Sequence, residues 1–160
     1  MILKWKYAAL SLLLLCALYT YKRQTNCGGL LVNSPCDSSK TRILHQLNET
    51  VRRIVRGSGV NVHGDISIHE LPRSFSKKDA AVTIAKKKIN ICLDDFDSFD
   101  ALLFVALHEI AHVATHEYGH TQTFWDNFKN LIDTARKHGH LLDHNPESTV
   151  CRTRVGTEPR

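Results

Sequence analysis

Apolar residues follow four different rhythms along this chain, and each predicts an element. From Tyr7 to Tyr21 the run YAALSLLLLCALYTY carries no charge and no polar face, a pattern that fits a bilayer. From about Ser39 to Arg56, Ile43, Leu44, Leu47, Val51, Ile54 and Val55 recur at three- and four-residue steps. They predict an amphipathic helix that Gly57-Ser58-Gly59 ends. Three strand-like runs follow, Ile66–Leu71, Ala81–Ala85 and Ile89–Leu93, the last two alternating apolar and polar. These two predict a hairpin turning at Lys86-Lys87-Lys88, although no Gly or Asn is there to favour a primed turn. A second helix follows Ser98, a plausible N-cap with Asp94, Asp95 and Asp97 ahead of it. Its run ALLFVAL, from Ala101, is apolar on nearly every side, which places it at the centre of the fold. A last helix bears Phe124, Trp125, Phe128, Leu131, Ile132 and Ala135 on one face, with Thr121 or Thr123 as its cap and Gly139 as its stop. The order helix, small antiparallel sheet, helix, helix is an α+β pattern.

Composition adds boundaries. With 160 residues, 42% of them apolar, one globular domain is expected, here residues 39–160, behind a Gly-, Asn- and Pro-containing linker at 24–38. Lys and Arg number 21 against 16 Asp and Glu, but Lys4, Lys6, Lys22 and Arg23 flank the first apolar run, leaving 17 against 16. The basic balance therefore describes a membrane flank and argues against a nucleic-acid surface. Residues 1–23 read as a single-pass N-terminal anchor. Fifteen helical residues cover about 22 Å, short of a bilayer core of roughly 30 Å, and Trp5, Tyr19 and Tyr21 at the interfaces with snorkelling lysines make Ile2–Tyr21 a feasible span. A cleaved signal is the rival, and the missing A-x-A site favours the anchor. Two basic residues on each side leave only the free amine to tip the N-terminus inward, which puts the domain in a lumen or outside. There Cys27 and Cys36 can close a small loop, leaving Cys92 and Cys151 free or paired; four cysteines permit three connectivities. The sequon Asn48-Glu49-Thr50 lies within the first predicted helix and reads as chance.

The chemistry stands in the central helix as His108-Glu109-Ile110-Ala111-His112. Histidines at i and i+4 share one face about 5–6 Å apart and can bind one zinc ion, with Glu109 beside them to act on water. Shuffling this composition yields the pattern in roughly 2% of chains, so the motif needs its context. On a buried helix two unsatisfied imidazoles and a carboxylate would cost several kcal/mol, which favours a ligand over coincidence. A catalytic zinc takes three protein ligands. His116, Glu117 and His120 are near, and His116 stands ~12 Å along an unbroken helix from His108, too far to share its ion. A reversal at Gly119 returns His120 to the face of His108 and His112, so His120 is chosen. A metzincin would need Gly at 115 and His at 118, where this chain has Thr115 and Tyr118.

The stretch HEIAHVATHEYGHTQTFWDNFKNLI resembles the active-site helix, ligand turn and following helix of the WLM and SprT/Spartan-like zincin metallopeptidases. Their pattern is His-Glu-x-x-His, a short variable gap, then a His closely followed by an aromatic. His108, Glu109, His112 and His120 match ligand, base, ligand and ligand, and Phe124 or Trp125 matches the aromatic. The upstream hairpin VTIAKKKINICLDD is similar to strands of that fold, so the resemblance covers roughly residues 40–138. It implies a minimal zincin-like domain that hydrolyses protein or peptide. A zinc ribbon and a partner-binding tail have no counterpart here, and the nuclear repair members lack a membrane segment, so a DNA–protein crosslink substrate is not carried over. A short anchored form is more similar to those of large DNA viruses.

The leading expectation is thus a membrane-anchored zinc peptidase with Glu109 as general base. The alternative is a structural or interaction protein of a membrane or virion that keeps zinc for folding. A DNA-associated protease is the weakest reading, given near neutrality beyond residue 23. Tyr118 and His116 are oxyanion-donor candidates by proximity, and Ile89–Leu93 is the sheet edge offered to an extended substrate. His138, His140 and His144 read as solvated rather than as a second metal site, Lys77-Lys78 and Lys86-Lys87-Lys88 as solvated turns, and Phe124, Trp125 and Phe128 as core. From Asn145 on, the sequence carries no functional signal.

Overall fold

A computed structural model describes residues 38–72, 79–140 and 147–155, which form three helices and two small sheets, an α+β arrangement. The N-terminal apolar run, Cys27, Cys36, Lys77-Lys78 and His144 lie outside the described residues, among which no helix is long and apolar enough to cross a membrane. The elements are α1 (Ser38–Ser58), β1 (Ile68–Glu70), β2 (Ala81–Ile84), β3 (Lys88–Ile91), α2 (Phe99–Ala114), α3 (Gln122–Lys137), β4 (Thr149–Val150) and β5 (Thr153–Arg154).

α2 is central. Its apolar residues bury on several faces, against α3, against β2 and β3, and against β4. Ser98 caps it, accepting the Ala101 N–H at 3.1 Å. α1 contributes Leu47, Val51 and Ile54 to the same core, the stripe that its three- and four-residue spacing requires. α3 adds Phe124, Phe128, Leu131, Ile132 and Ala135. It ends where Gly139, at φ +80°, donates to Arg136 O while His140 donates to Ala135 O.

The larger sheet runs β1-β3-β2, and its pairing corrects the expected small antiparallel sheet. β2 and β3 are antiparallel, Ile84 opposite Lys88, but β1 joins β3 in parallel, Ile68 opposite Ile89. β3 is therefore the middle strand and not the open edge. Ile89, Asn90 and Ile91 are all buried, as befits a strand covered on both faces. The β2–β3 turn places Ala85 and Lys86 at φ 51° and 54°, a left-handed pair built without Gly or Asn. Beside β1, the Asn48 side chain accepts from Ile68 N at 2.9 Å and donates to Ile68 O at 3.0 Å and to Leu44 O at 2.9 Å. An amide used in this way holds helix to strand, which agrees with reading the sequon as chance.

The second sheet is a β4–β5 hairpin. Its turn residues Cys151 and Arg152 also lie at positive φ, 47° and 67°. Cys151 is disulfide-bonded to Cys92, just past β3, with Cα atoms 6.1 Å apart. The Asp97 carboxylate, expected only to charge the start of α2, accepts the Thr149 N–H at 2.5 Å and ties the hairpin to the segment before α2.

Candidate metal centre

The site is built where α2 stops. Thr115 is extended at φ -96°, ψ 126°; its N–H and its hydroxyl both donate to Ala111 O, at 3.0 and 2.7 Å. Asn127 of α3 donates to the same hydroxyl at 3.2 Å. The helix thus ends at Ala114, five residues ahead of Gly119, the expected terminator, where Thr115 turns extended and its hydroxyl shares the Ala111 carbonyl. Gly119, at φ +87°, instead turns the chain back towards α3, whose N-cap is Thr121. His120 stands between the two.

This return brings His120 to His108 and His112. Their ring centroids are 4.9–5.0 Å apart, and one nitrogen of each lies within 4.8 Å of the others. Nε2 of His108 and Nε2 of His120 are 3.2 Å apart, close to the edge of about 3.3 Å that a tetrahedron with 2.0–2.1 Å zinc–nitrogen bonds requires. The three histidines can hold a metal ion, and among the described residues no second cluster of this kind converges. Phe124, fully buried, lies 4.4–5.0 Å from all three imidazoles and forms a common floor.

Electrostatics suit the donor role. Burial, with the charges that His112 and His120 would carry, pushes His108 down to about 4. Burial also lowers His112, helped by His120 and by the Lys86 ammonium. Both rings therefore favour the neutral form that a metal binds. Burial raises the Glu109 carboxyl, and the Thr83 hydroxyl, donating to its Oε2 at 2.5 Å, pulls the other way.

A cleft of about 430 Å³ opens over His108, Glu109 and His120. Ala80, Ala81, Phe104, Val105 and Trp125 give it apolar walls, and Thr153, Arg154 and Val155 close it from the β4–β5 side. Three expectations change here. Trp125 is a half-buried cleft residue, its ring 5.4 Å from His120, whereas Phe124 and Phe128 are core. The C-terminal segment, taken as silent, lines the cleft. Lys86 is bonded rather than solvated: Nζ donates to the carbonyls of Thr115, His116 and Glu117. His116 and Tyr118 are exposed and do not line the cleft, Tyr118 at 88% exposure with Lys86 Nζ over its ring. Thr83 carried no signal of its own, since a threonine in a strand is ordinary.

Fold and site together define a small α+β protein with a three-histidine centre capable of holding a metal. Its sequence is 44% identical over 86 residues to uncharacterized protein 136R of Invertebrate iridescent virus 6, covering 49% of this chain and 44% of that protein. It is 33% identical over 92 residues to uncharacterized protein 042R of Invertebrate iridescent virus 3, covering 54% of each. The chain spans about half the length of these curated relatives. No family model and no solved structure matches it.

Proposed function

We propose that this chain is a membrane-anchored zinc peptidase of minimal zincin-like architecture, resembling the WLM and SprT/Spartan-like enzymes. One observation carries the reading: three imidazoles converge from α2 and the following turn, and two of them, His108 and His120, line an open cleft together with the Glu109 carboxylate. Three nitrogen donors of borderline softness suit zinc, and with three protein ligands one position is left for chemistry. When bound there, zinc supplies Lewis acidity, lowering the pKa of water and polarising a peptide carbonyl.

The chain's own groups do the rest. His108, His112 and His120 hold the ion through neutral ring nitrogens. Glu109 takes the proton of the attacking water on its carboxylate and delivers it to the leaving amine nitrogen. Thr83 holds Glu109 Oε2, fixing the carboxylate's orientation. The apolar cleft walls exclude solvent around an extended peptide segment. A purely structural zinc site has no use for Glu109, which favours the enzyme over the folding-only alternative. Two relatives from iridescent viruses support a viral origin. A protein or peptide substrate and a single-pass N-terminal anchor complete the proposal; near neutrality beyond residue 23 speaks against DNA.

The test is Glu109→Gln in the full chain. Zinc content should stay at one per chain while hydrolysis of an unfolded protein substrate falls roughly 10²–10⁴-fold. Undiminished cleavage by that variant would refute the mechanism, and a zinc-loaded wild type without turnover would establish the structural alternative.

A further inference from the structure

We propose that Lys86 is a positioning residue for the metal site: it clamps the segment joining α2 to α3 onto the β2–β3 turn and so sets His120 in place. The inference rests on the three-histidine centre and stands independently of hydrolysis.

His108 and His112 are fixed by the helix that carries them, but His120 is exposed and sits on a non-helical segment. Unless that segment is held beforehand, metal binding must offset the entropy of ordering each of its backbone residues. Lys86 supplies the hold. Its Nζ donates to three consecutive carbonyls, Thr115 O, His116 O and Glu117 O, each at 2.6 Å. An ammonium has three N–H donors, and all three are used. These carbonyls lie just beyond the C-terminal end of α2, where helical bonding has stopped and positive charge is favoured. The same Nζ lies 4.6 Å from the Tyr118 ring centroid, so residues 115–118 are gathered around one cation. Only Gly119 then separates the clamped segment from His120.

Two further features set Lys86 apart. Its neighbours Lys87 and Lys88 are exposed, whereas Lys86 is half-buried. Ala85 and Lys86 both sit at positive φ without being Gly, a conformation that is strained for residues with a side chain. The three charge-assisted bonds from Lys86 offset that strain, and the turn in exchange aims the ammonium at the segment behind the site.

Zinc affinity of the full chain, read by competition with a chromogenic chelator, tests the clamp in a cycle. Lys86→Met should weaken zinc binding 10- to 100-fold, the range for lost support of a metal ligand, and Lys87→Met should leave it unchanged. Against a His120→Ala background, Lys86→Met should have no further effect, because the residue it positions is gone. Lys86→Arg keeps the charge on a flexible aliphatic stem but cannot converge three donors on one point, so it should show a measurable loss and provides a second readout if the Met variant does not fold. Wild-type affinity in both Lys86 variants would overturn the proposal. So would an equal loss with and without His120, which marks general destabilisation. A wild-type chain that binds no zinc refutes the metal centre itself, and intact zinc binding without turnover refutes only the peptidase.

Discussion

The His108 imidazole illustrates how one side chain ties stability to function. Burial holds it down to about 4 from an ordinary 6.5. Between those values the unfolded chain carries a proton at this position that the metal-free folded state does not, so stability rises with pH across the window and is lost as pH falls through it. Chelator-treated protein should therefore lose on the order of 3 kcal/mol of unfolding free energy from this group between pH 7 and pH 4. Denaturant titrations at a series of pH values check this, and His108→Ala should flatten the slope; an unchanged slope would place the buried charge elsewhere. Thr83 gives a prediction of another kind. Thr83→Val is isosteric and removes only the hydroxyl that holds Glu109, so turnover should fall about tenfold with zinc content unchanged, as for one lost hydrogen bond to a charged group. Equal activity in the Val variant would show that Glu109 is oriented by its helix alone.

At the scale of elements, what was legible in the sequence is what local chemistry determines. The all-round apolar run of α2 identified the central helix, Ser98 and Thr121 are the caps their side chains allow, and the i, i+4 histidines share a face because the helix puts them there. What was not legible depends on partners distant in sequence. The parallel β1–β3 pairing brings together residues about twenty positions apart, and no period within either strand reports it. Lys86 and Thr83 matter only because the hairpin packs near the end of α2. The β4–β5 hairpin is the largest omission: two-residue strands leave no alternation to read, and the hairpin is tied to the rest of the fold by Cys92–Cys151 and by Asp97. That disulfide closes a separation of 59 residues, which on the chain-entropy model stabilises the fold by roughly 4 kcal/mol. The double variant Cys92→Ala, Cys151→Ala should melt on the order of 10–20 °C lower, as a thermal scan against the oxidised wild type reads. A melting point within one degree would show that the hairpin is held without the covalent link.

For the whole molecule, the disulfide also bears on where the proposed anchor leaves the domain. Two basic residues on each side of the apolar run hardly distinguish the orientations. A bonded Cys92–Cys151 pair favours one as a proposal, because such bonds persist in oxidising compartments and are rare in reducing ones. An inward N-terminus with the domain on the lumenal or outer face satisfies both. The same bond reaches the cleft: Cys151 sits in the turn between β4 and β5, and Thr153, Arg154 and Val155 just beyond it form one wall. In sealed membranes carrying the full chain, both cysteines should resist a thiol-alkylating reagent until a dithiol reduces them. An added protease should then digest the domain only from the lumenal or outer face. Reduction should lower peptide turnover with zinc still bound, since the wall is loosened while the three imidazoles stay on α2 and its return turn. Freely alkylated cysteines on a cytosolic domain would reverse the proposed orientation, and turnover indifferent to the dithiol would remove the hairpin from the substrate site.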